Sequence, residues 1–328
     1  MKLILAPMDG LTDSYARELL TAIGGYDLCI TEFLRVTDTL FPKRVFYRRF
    51  PELNPEHCSP KHQQISHTPS GVPVFLQLLG SDNTALAENA ARAVQLGAAG
   101  IDLNFGCPAK TINRRLGGAS LLKYPQRINA IISSVRQAVP EHIPVTAKMR
   151  LGYDDQSLAH ENALAIQEGG ANWLTIHART KKEAYHPPAH WHALSAIKQL
   201  LYIPIIANGE VWSVEDYLQC RTLSGCDSVM LGRGAMVTPD LARQIKAHLG
   251  HQKNVPLDWT EICQLLTALY QLMRDNNELD NKYIAPRLKL WVKWLMPTYT
   301  QAEEIFGCLK HIKDPQQAIT FIHSSASK

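Results

Sequence analysis

The sequence predicts an α/β protein: a closed parallel (β/α)8 barrel followed by a small helical bundle. Two observations predict the barrel, and a third ends it. Eight short β-branched or apolar runs recur over the first part of the chain, each closing on small, polar or turn residues. Between most of them lie amphipathic stretches such as NTALAENAARAVQLG (83–97), apolar at every third or fourth residue. After about residue 248 the strand signal stops. The runs are KLILAPM (2–8), DLCITEFLRV (27–36), VPVFLQLLG (72–80), GIDLNFG (100–106), IPVTAKMRLG (143–152), NWLTIHART (172–180), IPIIANGEV (203–211) and DSVMLGRGAM (227–236). Near-continuous apolar strands alternating with helices imply a parallel sheet covered on both faces. An open doubly wound sheet shares that alternation, but no GxGxxG follows the first strand.

The tail reads as four helices, at 259–275, 281–296, 300–312 and 315–325. The expected division is therefore a barrel over residues 1–247 and a helical domain over 248–328. RRFPELNPEHCSPKHQQISHTPSG (48–71), rich in Pro, His and Ser, reads as a long loop between barrel units.

Composition narrows the class. Hydrophobic residues at 45% and charged residues at 20% suit a globular enzyme. A net charge of +4 is too small to prove a polyanionic partner by itself. No apolar run of about 18 residues suggests a membrane span, and the apolar start stops at Pro7 and Asp9, too soon for a secretory signal. Seven cysteines are scattered without a CxxC pair, which argues for reduced thiols in a cytoplasm and against a metal site. Nothing in the sequence demands more than a monomer.

In such barrels the chemistry collects at the C-terminal ends of the strands. Those ends carry Pro7-Met8-Asp9, Glu32 and Arg35, Gln77, Asn104 with Cys107, Lys148 with Arg150, His177 with Arg179, Asn208-Gly209-Glu210 and Gly232-Arg233-Gly234. Eight polar sets on one rim are hard to explain as packing. Lys148 interrupts an apolar strand; alone it would read as a lysine reaching for solvent, but beside Asn104 and Gln77 an ammonium could face negative charge on a reduced ring or a phosphate. His177 is followed two residues later, on the same strand face, by a second donor. The glycines of ANGEV and LGRGAM sit after the seventh and eighth strands, where these barrels often hold phosphate. Cys107 precedes Pro108, whose ring stiffens the turn. The fragment is equally consistent with an inert buried thiol and with a protonated thiol acting as a proton donor.

The segments LAPMDG, QLLG, DLNFGCPAKTINRRLGGASLL, AKMRLG, IHART, IANGEV and VMLGRGAM stand in the order and spacing of the tRNA-dihydrouridine synthases, which this chain resembles throughout the barrel and more loosely in the tail. DLCITEFLRV and PRLKLWVKWL resemble the C-type branch, which acts on uridine 16 of the D-loop. The resemblance implies a TIM barrel and an FMN-dependent, NADPH-driven reduction of the uracil 5,6 double bond. It implies that Cys107 is the catalytic proton donor and that Pro7, Met8, Asp9, Gln77, Lys148, His177, Asn208, Gly209, Glu210, Gly232 and Arg233 bind flavin. It implies that Asn104 touches the target base and that Arg35, Tyr185, Arg287, Lys289, Trp294 and Lys310 contact tRNA. Asp9 stands where some members carry glutamate, and the 48–71 loop looks longer than in relatives.

Charge supports a nucleic-acid partner independently. Lys282, Arg287, Lys289 and Lys293 lie in a tail segment free of acidic residues, and KRVFYRR (43–49) and Arg114-Arg115 are also basic. Two other readings stay open here: a flavin barrel enzyme acting on a small pyrimidine, which would not need this basic tail, and a non-catalytic RNA-binding barrel.

Overall fold

The computed structural model of the chain describes residues 1–54, 66–114, 116–253, 255–276 and 280–326. Residues 55–65 of the 48–71 loop, Cys58 among them, and Arg115 lie outside the described residues. The chain divides into two compact units: Met1–Ser14, Tyr26–Val211 and Glu215–Gly232, and then Tyr15–Gly25, Trp212–Val214 and Arg233–Lys328. The second unit thus begins ahead of residue 248 and takes in one helix from near the chain's start.

The strands of the first unit are β1 (Leu3–Leu5), β2 (Leu28–Ile30), β3 (Leu34–Arg35), β4 (Val74–Leu79), β5 (Ile101–Phe105), β6 (Val145–Gly152), β7 (Leu174–Thr180), β8 (Ile205–Asn208) and β9 (Ser228–Leu231). They pair in the order β2-β1-β9-β8-β7-β6-β5-β4-β3, and β2 also pairs with β4, which closes an eight-stranded ring with β3 as a short extension. Every pairing between named strands is parallel. The helices are α1 (Ser14–Ile23), α2 (Lys43–Arg49), α3 (Asn83–Gln95), α4 (Lys110–Asn113), α5 (Pro125–Ala138), α6 (Ala159–Glu168), α7 (Trp191–Leu200), α8 (Val214–Ser224), α9 (Arg233–Val237) and α10 (Leu241–Leu249). The tail adds α11 (Trp259–Asp275), α12 (Asn281–Leu295), α13 (Thr300–Leu309) and α14 (Pro315–Ser324).

Successive strand residues point to opposite faces, so position parity sorts the barrel. Ile4, Ala6, Leu28, Ile30, Phe75, Ile206 and Met230 form one buried inner cluster. The same parity, carried toward the C-terminal strand ends, turns inward Gln77, Asp102, Asn104, Thr146, Lys148, Thr175, His177 and Asn208. The barrel is thus apolar below and polar above. That ordering lets the lower half pack by the hydrophobic effect while the upper half holds groups that need partners.

Three sequence expectations change. The run 27–36 is two strands, because Thr31 breaks the ladder: its Oγ1 accepts the Gln77 N–H at 3.1 Å in place of a backbone carbonyl. The register with β4 then slips by one residue, from Ile30↔Phe75 to Leu34↔Leu78. The run 227–236 stops as a strand at Leu231, and Arg233–Val237 is a short helix. The 48–71 loop begins inside a helix, since α2 runs through Arg49, and a 3-10 turn follows at Pro51–Leu53.

Within the second unit α11 starts on a capping box, Asp258 accepting the Glu261 N–H while Glu261 accepts the Asp258 N–H. Asp314 caps α14, with Pro315 at its first turn. On α12, Ile284, Ala285, Leu288, Trp291, Val292 and Leu295 are buried at helical spacing. Trp291 is 0% exposed and among the largest fully buried side chains. Trp291→Ala is expected to destabilise the chain by about 3–5 kcal/mol, read as a lowered urea midpoint for loss of helical circular dichroism.

Candidate active site

The site is best built from the turn after β5. Asn104, one residue before the strand ends, accepts with its Oδ1 the N–H of Gly106 at 2.8 Å and of Cys107 at 2.9 Å. The Cys107 carbonyl accepts from Ala119 N–H at 3.1 Å and from Asn113 Nδ2 at 3.0 Å. Arg150 Nε donates to the Gly106 carbonyl at 2.8 Å. The turn is therefore held from both sides, and proline is only part of its stiffness. Gly118 matters to it: φ is +59°, and a Cβ there would stand 2.9 Å from the Cys107 carbonyl oxygen and 3.0 Å from its Cβ. Cys107 itself is half-buried. Burial pushes its thiol pKa up, with a backbone hydrogen bond from Ala109 acting the other way.

On β4, Gln77 is fully buried and its amide is engaged at both ends: Nε2 donates to Asp102 at 2.7 Å, and Oε1 accepts from Asn104 Nδ2 at 2.8 Å. Lys148 sits level with Asn104 across β5 and β6. Its Nζ donates to Asn208 Oδ1 at 2.9 Å, and Asn208 Nδ2 donates to the Met230 carbonyl at 2.9 Å. Burial pushes the Lys148 ammonium down to about 7; Arg150 adds to the shift and Asp102 opposes it.

His177 is level with Asn208 across β7 and β8. Gly209 and Glu210 follow with φ of +111° and +61°, a sharp left-handed exit from the strand. A side chain at 209 would put its Cβ 2.8 Å from His177 Cδ2, so glycine is required for the ring to lie there. Trp191 Nε1 pins the turn by donating to the Gly209 carbonyl at 3.0 Å. Glu210 is ion-paired with Arg179, whose side chain is fully buried. Tyr185 is 50% exposed, its ring 6.0 Å from the His177 ring and 5.2 Å from the Arg150 guanidinium.

After β1, the Met8 N–H donates to Thr12 Oγ1 at 2.8 Å and the exposed Asp9 pairs with Arg49 at 2.8 Å. Gly232, beyond β9, has ordinary room for a Cβ, 3.6 Å from Met8 Sδ. Arg233 opens the second unit, where its guanidinium lies 4.8 Å over the Trp212 ring.

The inner rim of the barrel unit thus gathers Gln77, Asn104, Lys148, His177, Asn208 and Gly209, with Cys107 on the adjoining turn. Of the basic tail residues, Lys310 is exposed and Lys289 half-buried, with Lys289 Nζ donating to the Lys310 carbonyl at 3.0 Å. Arg287, expected among the tRNA contacts, is only 4% exposed. It lies three residues after Ile284 and four before Trp291, on the inward stripe of α12. Sequence reasoning also passed over Asp102 and Thr146, which share the inward parity of Asn104 and Lys148. Among the described residues there is no cluster of His, Cys, Asp or Glu able to hold a metal, and no helix is long and apolar enough to cross a membrane.

The shifted lysine makes a test. An ordinary lysine titrates near pH 10.4, so between about pH 7 and pH 10 the unfolded chain holds a proton at residue 148 that the fold does not. Stability therefore rises with pH across that window. Asp102, whose pKa burial raises to about 6, acts with the opposite sign below it. Lys148→Met is expected to flatten the rise between pH 7 and pH 10, as read from thermal midpoints of both chains over a pH series.

Known proteins match this chain over nearly its whole length. The family model for dihydrouridine synthase (Dus) matches residues 4–327. A tRNA-dihydrouridine(16) synthase from Neisseria meningitidis is 46% identical over 96% of this chain and 92% of the relative. One from Shewanella oneidensis is 44% identical over 99% of this chain and 98% of the relative. Among solved structures, histamine dehydrogenase from Rhizobium sp. 4-9 superposes with a TM-score of 0.54 at 12% identity, over 83% of this chain and 49% of that longer one, a likeness of fold. With a family model spanning nearly its whole length and relatives above 40% identity, this chain belongs to the dihydrouridine synthase family.

Proposed function

We propose that this protein reduces the C5–C6 double bond of a tRNA D-loop uridine, at position 16, to 5,6-dihydrouridine. The observation that carries the reading is Cys107: a protonated thiol on a braced turn, beside an inner rim of polar side chains. Burial keeps that thiol protonated at neutral pH, which suits a donor of a proton to C5 of the pyrimidine. FMN, re-reduced by NADPH, would supply the hydride for C6.

The residues present fit such a ring. Lys148 commits one N–H donor to Asn208, leaving at least one more, in either protonation state, for a ring that gains negative charge on reduction. Gln77 keeps one amide N–H beyond its bond to Asp102. The absence of a Cβ at Gly209 leaves His177 room to present its edge. Pro7, Met8, Asp9, Asn208, Glu210 and Gly232 would complete the walls. Asn104 keeps one N–H for the target base after bonding Gln77.

A stacked uridine must be swung out to reach the pocket, which costs a few kcal/mol. Contacts elsewhere on the RNA would offset that: Arg35 and Tyr185 from the barrel unit, and Lys289, Trp294 and Lys310 from a helical recognition domain over 248–328. Buried Arg287 has little surface to offer and is left out of this set. The relatives' names carry the choice of position 16. A cytoplasmic monomer accords with this reading.

Two experiments decide it. NADPH-driven reduction of unmodified tRNA is expected to outrun that of free uridine by orders of magnitude; equal turnover would return the protein to the small-pyrimidine reading. Cys107→Ala is expected to slow turnover about 10²–10⁴-fold with flavin absorbance and tRNA binding retained, as measured by single-turnover kinetics; near-normal turnover would make the thiol inert.

A further inference from the structure

The barrel's inner face holds a carboxylate that the proposed reaction leaves without a role. Asp102 is 0% exposed and lies on β5 two residues before Asn104. Its Oδ1 accepts from Thr146 Oγ1 at 2.6 Å and its Oδ2 from Gln77 Nε2 at 2.7 Å. From Gln77 the bonds continue to Asn104 and then to the N–H groups of Gly106 and Cys107. Four elements of the barrel unit (β4, β5, β6 and the Cys107 turn) are joined in one line.

That line has a direction. An amide side chain has one accepting and one donating end of nearly equal shape, and its partners decide which way it faces. The backbone N–H groups of Gly106 and Cys107 can only donate, so the Asn104 oxygen must face the turn and its NH2 must face Gln77. The Gln77 oxygen must then meet that NH2, and its own NH2 must point at residue 102. Whatever stands at 102 must accept. An ionised carboxylate accepts and cannot donate. Were Gln77 reversed, two NH2 groups would face each other in a buried site, each without a partner.

We infer that Asp102 is a positioning residue for Cys107: acting through Gln77 and Asn104, its carboxylate fixes the orientation of the turn that carries the thiol. Asp102 is fully buried, and its side-chain hydrogen bonds go to Gln77 and Thr146. The inference rests on reading Cys107 as the proton donor for its relevance to turnover, though the geometry stands without it. Burial pushes the Asp102 pKa up to about 6, against the hydrogen bonds from Gln77 and Thr146 and the charge of Lys148. It is therefore ionised, and a pure acceptor, at neutral pH.

The test uses the full chain and reads the rate at which iodoacetamide alkylates Cys107, followed by peptide mass spectrometry, beside steady-state reduction of tRNA. Asp102→Leu, close in size and without an acceptor, is expected to change the alkylation rate by about fivefold or more. It is also expected to lower kcat by about 10–100-fold while KM for tRNA moves less than about twofold. Asp102→Asn, which keeps an acceptor oxygen, is expected to stay within about threefold of the parent on both readouts. A folded Asp102→Leu chain with parental alkylation, or Asp102→Asn as impaired as Asp102→Leu, overturns the inference.

A charge exchange decides the matter even if the leucine variant does not fold. Gln77→Glu alone sets two carboxylates face to face and should perturb Cys107. Paired with Asp102→Asn it restores one donor opposite one acceptor, and alkylation should move from the Gln77→Glu rate back toward the parental one. A double variant no closer to the parent than Gln77→Glu alone overturns the inference. Because alkylation needs no turnover, an active Cys107→Ala enzyme would sink the proton-donor reading without altering these rates.

Discussion

The interaction on which the site depends is the pair of hydrogen bonds from the Gly106 and Cys107 N–H groups to a single amide oxygen, that of Asn104. A strand end is normally frayed, with backbone groups turned to water. Here the chain leaves β5 and is caught at once by the side chain of its own penultimate strand residue. Everything that gives Cys107 a fixed place, including the Ala119 and Asn113 bonds to its carbonyl and the Arg150 bond to Gly106, closes around that capture. A thiol held this way loses little entropy on reaching a productive geometry, because the backbone cost has been met in folding.

The barrel supplies that capture with its surroundings through strand parity alone. Eight parallel strands with their ends in register send alternate side chains inward, and the lower layers are filled by Ile4, Leu28, Phe75, Ile206 and Met230. Above them the interior can be polar only because its polar groups satisfy one another. Gln77 meets Asp102 and Asn104, Lys148 meets Asn208, and Asn208 meets the Met230 carbonyl. Buried polar groups left unpaired would be costly. The same low-dielectric setting moves the Lys148 and Asp102 pKa values toward each other, to about 7 and about 6. Proton affinities at this rim are thus set by burial first, and then by hydrogen bonds and neighbouring charge.

Turn conformation does the remaining work. The successive positive φ angles at Gly209 and Glu210 carry the chain away from β8 and bring the Glu210 carboxylate to the buried Arg179. Gly118 allows the segment after α4 to press against Cys107. In both places a missing Cβ is what permits the close approach. In the helical unit, by contrast, order comes from capping and from apolar stripes, with Asp258, Asp280 and Asp314 starting three of the tail helices.

How much of this the amino-acid order decided can be read element by element. Alternating apolar runs and amphipathic stretches were enough for the barrel, since periodicity and strand length are local properties; the spans of α11, α12 and α14 were legible to within a residue for the same reason. The strand-end positions of Cys107, Asn104, Lys148 and His177 were also legible, because a parallel barrel puts every such end on one rim. The break of β2 from β3 at Thr31 was not, since it arises from a hydroxyl bonding Gln77, 46 residues away. The burial of Arg287 follows from a stripe that the run of basic residues concealed. Asp102 looked like one more strand residue until folding set it against Gln77 and Thr146, respectively 25 and 44 residues distant. Local spacing determines which residues can share a face, whereas hydrogen-bond direction and proton affinity depend on partners that only the closed barrel brings within 3 Å.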